Sequence, residues 1–231
     1  MNFPEIVAHR GMPRRLPENT LQSFEAALAS GAQGIELDVH VTRDDIVVVH
    51  HDAWLATVDG FGTQRGPAIA SLTFAELVAR DGGRDIPALA DVLSLVADKA
   101  TVYVEIKALH IEQQVVNVVQ SHRTFCAVHG FDHRAPLRVH QLAPDIPVGI
   151  LQTSYLIDAV AALRACGARD LWQQWEMIDE PLVRSVHDAG SRIVAWTVND
   201  AAAISYLTEI GVDALCTDVS DVVRQQLSSR T

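Results

Sequence analysis

Short apolar runs alternate along the chain with longer amphipathic ones. The runs at 6–8, 34–39, 101–106, 125–128, 148–151, 171–173, 193–198 and 214–217 are too brief for core helices and read as strands. Between them, the stretches 21–29, 89–97, 111–119, 181–189 and 201–210 carry apolar residues at helical spacing. Asn19 or Thr20 can cap the first of these helices, and Gly31 can stop it. Pro181 suits a first helical turn closed by Gly190, and Asp200 can cap the helix that follows it. Repeated β-α units predict a parallel sheet covered on both faces. No glycine-rich phosphate fingerprint follows the first strand, so a closed (β/α)8 TIM-type barrel is expected over a dinucleotide-binding sheet.

The run at 46–49 is a ninth strand candidate for eight barrel positions. It follows the 34–39 strand after the short link Thr42-Arg43-Asp44-Asp45. A parallel crossover needs about a dozen residues, whereas a hairpin needs about two to five. Residues 46–51 are therefore expected to fold back as an antiparallel arm, with the weak run at Leu171 as the other candidate for the odd strand. Residues 52–86 break the rhythm with Gly60, Gly62, Gly66, Pro67, Gly82 and Gly83. They read as a small insertion or lid after the His51 strand, inside one barrel domain spanning 1–231.

Composition narrows this further. With 231 residues, 48% of them hydrophobic, the chain can bury one substantial core. Its net charge of −11 disfavours a nucleic-acid partner. The same charge opposes a phosphate-ester substrate unless a bound cation reverses the field locally. Cys126, Cys166 and Cys216 are far apart and form no C-x-x-C, which suits inert thiols of a reducing compartment. No basic stretch leads into a long apolar run, and no apolar run reaches about 18 residues. A cytoplasmic chain without stable membrane association is expected.

The chemistry gathers at strand ends. Glu36 and Asp38 flank Leu37, and strand residues two apart face the same side. Two carboxylates on one inward face repel unless protonated or bridged by a cation, and oxygen donors suit Mg2+ or Ca2+. Two solvated acids on an exposed strand face would explain the pair equally well. Glu105 and Lys107 repeat the spacing with strongly apolar flanks, as at a barrel mouth. His9-Arg10-Gly11 ends the first strand: an imidazole to move a proton, a guanidinium to fork onto phosphate, a glycine to turn the backbone. His50-His51-Asp52 ends the ninth run, and alternation lets only one of these histidines reach the site. A hairpin would bring His51 opposite Glu36 or its neighbour. Trp172 and Trp175 read as core or rim packing, or as part of a pocket.

Several segments stand in order and at close spacing: His9-Arg10-Gly11, Pro17-Glu18-Asn19-Thr20, Ile35-Glu36-Leu37-Asp38-Val39, Thr42-Arg43-Asp44 and Val48-Val49-His50-His51-Asp52. Glu105-Ile106-Lys107, Trp196-Thr197-Val198-Asn199 and Thr217-Asp218 follow. With these the chain resembles the glycerophosphodiester phosphodiesterase family over nearly its whole length. The resemblance implies a barrel that hydrolyses glycerophosphodiesters to glycerol 3-phosphate and an alcohol. It implies His9 and His51 as the acid–base pair, Glu36, Asp38 and Glu105 as ligands of a divalent cation (Mg2+ or Ca2+), and Arg10, Lys107 and Trp196 as substrate contacts. Three positions depart from the family pattern. Gln33 replaces an acid, Asp45 a glycine, and His129-Gly130-Phe131-Asp132 a serine-phenylalanine segment, which alters the pocket floor. The alternatives are a lysophospholipase D on the same scaffold, or a non-catalytic glycerophosphodiester-binding protein. The first would need an apolar lid, for which Trp54, Leu55, Phe61, Ile69, Leu72 and Phe74 are scattered candidates. The second would be expected to have lost a histidine or a ligand.

Overall fold

The structure, a computed structural model, describes residues 3–59 and 62–229; Gly60 and Phe61 lie outside them. β1 (Glu5–His9) leads through a tight loop to α1 (Leu21–Ser30). Thr20, not Asn19, caps that helix by accepting from the Ser23 amide, and Gly31 ends it at φ 84°. β2 (Gly34–Val41) is buried throughout, and β3 (Val47–Val49) pairs antiparallel with its outer end. β4 (Trp54–Asp59) and β5 (Gly62–Ala68) form a separate two-stranded sheet, followed by α2 (Phe74–Val78) and α3 (Leu89–Val96).

From there the alternation is regular. β6 (Thr101–Ile106) precedes α4 (Glu112–Gln120), and β7 (Cys126–Gly130) precedes α5 (Arg134–Leu142). β8 (Val148–Gln152) precedes α6 (Ala159–Cys166), and β9 (Asp170–Gln174) precedes α7 (Glu180–Asp188). β10 (Arg192–Trp196) and α8 (Ala201–Ile210), then β11 (Ala214–Thr217) and α9 (Ser220–Ser228), complete the chain.

Eight parallel strands run in the order β1-β11-β10-β9-β8-β7-β6-β2, and β1–β2 pairing closes the barrel. The odd strand is β3, while the weak run at Leu171 is a true barrel strand with parallel neighbours on both sides. β3 finds room because one edge of β2 serves two partners in turn. β1 pairs with residues 34–36, and β3 takes up 39–41 beyond it.

Apolar residues of the strands and helices fill the layer between them, as expected for strands buried on both faces. Inside the barrel lie Val7, Tyr103, Ala127, Leu151, Trp172, Val194, Ala214 and Cys216. The large rings fit because facing positions are small. A Cβ on Gly149 would come 2.9 Å from the Trp172 ring, and one on Gly34 2.8 Å from the Tyr103 ring. An indole buried as fully as that of Trp172 is worth about 3–5 kcal/mol against truncation to alanine. The N-terminal end is closed by polar contacts: Tyr103 donates to Glu5, and Arg192 pairs with Glu5 at 2.7 Å and reaches Asp170 at 3.7 Å. Val48, Leu55, Ile69, Leu72, Leu77 and Ile86 make a small separate core under residues 52–86. Among the described residues no helix is long and apolar enough to cross a membrane.

Candidate active site

The register of the strands assembles the site. His9 stands beside Glu36, Asp38 beside Glu105, and Glu105 beside His129, each pair on adjacent strands. His9, Glu105 and His129 belong to the C-terminal ends of their strands, where barrel enzymes keep their chemistry, and Glu36 and Asp38 of the longer β2 stand level with them. His51 lies in the bend just past the end of β3, and the His50 amide donates to the Asp38 carbonyl at 2.9 Å. A cavity of about 170 Å3 results. His9, Arg10, Glu36, His51, Glu105, Lys107 and Trp196 line it, over His129, Leu151, Trp172 and Cys216.

The two histidines are held alike. His9 Nδ1 lies 2.7 Å from Asp218 Oδ1, and its Nε2 points towards Glu36 Oε2 at 3.9 Å. Asp218 also accepts from Asn199 at 2.7 Å. His51 Nδ1 lies 2.8 Å from Asp52 Oδ1, at the more exposed rim. Each imidazole is thus oriented by a carboxylate and keeps Nε2 for other work. His50 does not line the cavity, and burial lowers its pKa.

Arg10 sits at φ 53°, followed by Gly11 at φ 91°, so the backbone turns sharply where β1 ends. A Cβ on Gly11 would lie 2.4 Å from Ser23 Oγ, which closes this loop against α1. The turn brings Arg10 Nε to 3.0 Å from Asp38 Oδ2, while Asn19 Nδ2 donates to the same oxygen at 2.9 Å. Lys107 Nζ lies 2.9 Å from Asp38 Oδ1 and 2.6 Å from Glu105 Oε1.

These contacts split the carboxylates. Burial raises the Glu36 pKa well above the usual carboxyl range, reinforced by the charges of Asp38 and Glu105. Burial also raises that of Glu105, partly offset by Lys107. For Asp38 burial pushes upward too, but Lys107, Arg10 and the Asn19 hydrogen bond more than reverse it. The fully buried His129 is pushed down to about 3 by burial, then by Lys107, so its ring is neutral. Both of its ring nitrogens are without a hydrogen-bond partner among the described residues.

These residues fit a cation. Glu36, Glu105 and His129 are buried, and each offers one donor atom within 4.8 Å of the others. Two crowded acids and an orphaned imidazole are costly without a positive partner, and a divalent ion would supply one. Asp38 stands outside this group of three, held by Arg10, Asn19 and Lys107.

The sequence reading located His9, Arg10, Glu36, His51, Glu105, Lys107 and Trp196, and the fold brings all seven to one cavity. In the sequence Asn19 reads as a helix cap or as part of the Pro17–Thr20 segment, and Asp218 as part of a terminal motif; neither reading gives it a partner in the site. His129 was a departure without a partner. Period-2 alternation along β7 could have placed it inward with Ala127.

Comparison with known proteins shows the family. Residues 9–222 match the glycerophosphoryl diester phosphodiesterase family. A glycerophosphodiester phosphodiesterase of Caldanaerobacter subterraneus subsp. tengcongensis is 30% identical over 92% of this chain and 93% of its own. One from Bacillus altitudinis is 29% identical over 94% of this chain and 95% of its own. Among solved structures, an Oleispira antarctica phosphodiesterase in complex with the product sn-glycerol-3-phosphate superposes with TM-score 0.85 at 23% identity, covering 98% of this chain and 97% of that one. A Thermotoga maritima glycerophosphodiester phosphodiesterase gives TM-score 0.84 at 24% identity, covering 97% and 99%. The chain belongs to the glycerophosphoryl diester phosphodiesterase family.

Proposed function

We propose that this protein hydrolyses glycerophosphodiesters to glycerol 3-phosphate and an alcohol, with His9 and His51 as its acid–base pair. One observation carries the reading: two imidazoles, each held at Nδ1 by an aspartate, line one cavity that also contains two acids and two fixed cations. The product bound to the Oleispira antarctica relative is consistent with the same chemistry.

Glu36, Asp38 and Glu105 are proposed to hold the divalent cation. When bound, it would act as a Lewis acid on a phosphoryl oxygen. Arg10 and Lys107 add positive charge against the charge that grows on phosphorus. His9, deeper and backed by Asp218, takes a proton from the nucleophile; His51, at the rim, gives one to the leaving alkoxide. Trp196 and Phe131 stand edge to face, 5.4 Å apart, as an aromatic wall for the glycerol or the alcohol. In this reading the chain is one barrel domain with 52–86 as an insertion beside the mouth. The small core of that insertion packs on Val48 of β3 and steadies the arm that carries His51.

Depletion with EDTA, followed by dialysis, should abolish glycerol 3-phosphate release from glycerophosphocholine, and adding back a divalent cation should restore it. Unchanged turnover in the depleted protein would refute the metal requirement. Lysophosphatidylcholine assayed in parallel separates the lysophospholipase alternative. Asp218 is a positioning residue in this scheme. Asp218→Asn should lower kcat about 10²-fold by misorienting His9, with little change in KM. A loss confined to KM would contradict the assignment.

A further inference from the structure

His129 has no task in the reaction above, yet it occupies an expensive position. Its side chain is 1% exposed, and neither ring nitrogen meets a hydrogen-bond partner among the described residues. Buried imidazoles ordinarily satisfy at least one nitrogen. The ring is also held in one plane, stacked on Trp172 with centroids 4.1 Å apart and 2° between planes. Nε2 points at Glu36 Oε1 from 3.9 Å, and backbone register puts His129 directly beside Glu105. A separation of 3.9 Å is too long for a hydrogen bond, but it suits two donors that share one ion.

We propose that His129 is a nitrogen ligand of the divalent cation and biases the site towards a borderline first-row ion, such as Co2+ or Zn2+, over Mg2+ and Ca2+. This rests on the cation site proposed above and adds its selectivity. An all-oxygen donor set suits hard cations that keep their water, whereas an imidazole donor favours the later first-row ions.

The test measures binding, not turnover. Metal-stripped protein is equilibrated with an equimolar mixture of Mg2+, Ca2+, Co2+ and Zn2+, desalted, and analysed for bound metal. Titration with Co2+ alone is followed through quenching of tryptophan fluorescence, to which Trp172 is well placed to respond. The wild type should retain Co2+ or Zn2+ and exclude Mg2+ and Ca2+. His129→Ser should weaken Co2+ about 10²-fold while changing Mg2+ affinity less than about threefold. His129→Gln serves the same purpose where serine fails to fold. A wild type that prefers Mg2+ or Ca2+ in the mixture overturns the proposal without any variant. Unchanged Co2+ affinity in a folded His129 variant also overturns it, and leaves the carboxylate site standing if Glu36→Gln abolishes binding of every ion. A wild type that binds no divalent cation overturns both the site and this inference.

Discussion

Replacing His9 or His51 with alanine should lower kcat on glycerophosphocholine by between about 10²- and 10⁴-fold, the usual range for losing a positioned acid or base. The two losses should not multiply in the double variant, because both groups act in one proton-transfer sequence. Neither imidazole is a main phosphate anchor, so KM should move little. His51 also separates catalysis from folding. Its side chain is 39% exposed and, among the described residues, its ring bonds to the exposed Asp52, so removing it should change stability by less than about 0.5 kcal/mol. Full turnover in both single variants would sink the acid–base assignment. Circular dichroism and urea titration of the same samples would expose any loss due to unfolding.

Asp38→Asn should produce the largest stability loss of any charge-removing change at the mouth, about 3 kcal/mol by urea denaturation. Asp38 is fully buried and lies within 3.0 Å of both Arg10 Nε and Lys107 Nζ. Asparagine keeps the shape but leaves those buried cations facing a neutral group. Lys107 retains Glu105, and among the described residues Arg10 retains an ion pair with the partly exposed Glu18. The sign of the pH dependence follows from the depressed folded pKa of Asp38. Its contribution is complete above the unfolded value of about 4 and is lost as pH falls through the lower folded value. The gap between wild type and variant should therefore be constant from pH 6 to 8 and narrow only in strong acid. A loss below about 1 kcal/mol at neutral pH would mean that the mouth is wetter than these contacts indicate.

Much of this was legible in the chain, and the failures have physical causes. The link of residues 42–45 is too short for a crossover, so an antiparallel arm is expected there, but the weak run at Leu171 competes for the odd strand until barrel pairing decides it. Period-2 spacing put Glu36 and Asp38 on one face of their strand but left an exposed face as good an explanation as an inward one; the burial of both decides it. Helices α5, α6 and α9 were not anticipated. Their buried stripes are thin: Ala135, Pro136 and Val139 in α5, Ala159, Leu163 and Cys166 in α6, and Ser220, Val223 and Leu227 in α9. So few and such small apolar residues leave little helical signal. The strand expected at 193–198 stops at Trp196, and β7 runs on to Gly130, so its last residues, not its first, meet the cavity. The partners of His9 were out of reach for another reason. Asp218 lies 209 positions away, and only barrel closure through β1 and β11 brings the two together. Asn19 has a local alternative as a cap, and only the fold assigns that role to Thr20 and frees Asn19 for Asp38.

The most direct test is product identity. Purified protein with a divalent cation and glycerophosphocholine, followed by 31P NMR, should convert the diester to glycerol 3-phosphate with one choline released per phosphorus. No conversion of any glycerophosphodiester with any divalent cation, or appearance of phosphocholine and glycerol in place of glycerol 3-phosphate, would contradict the account.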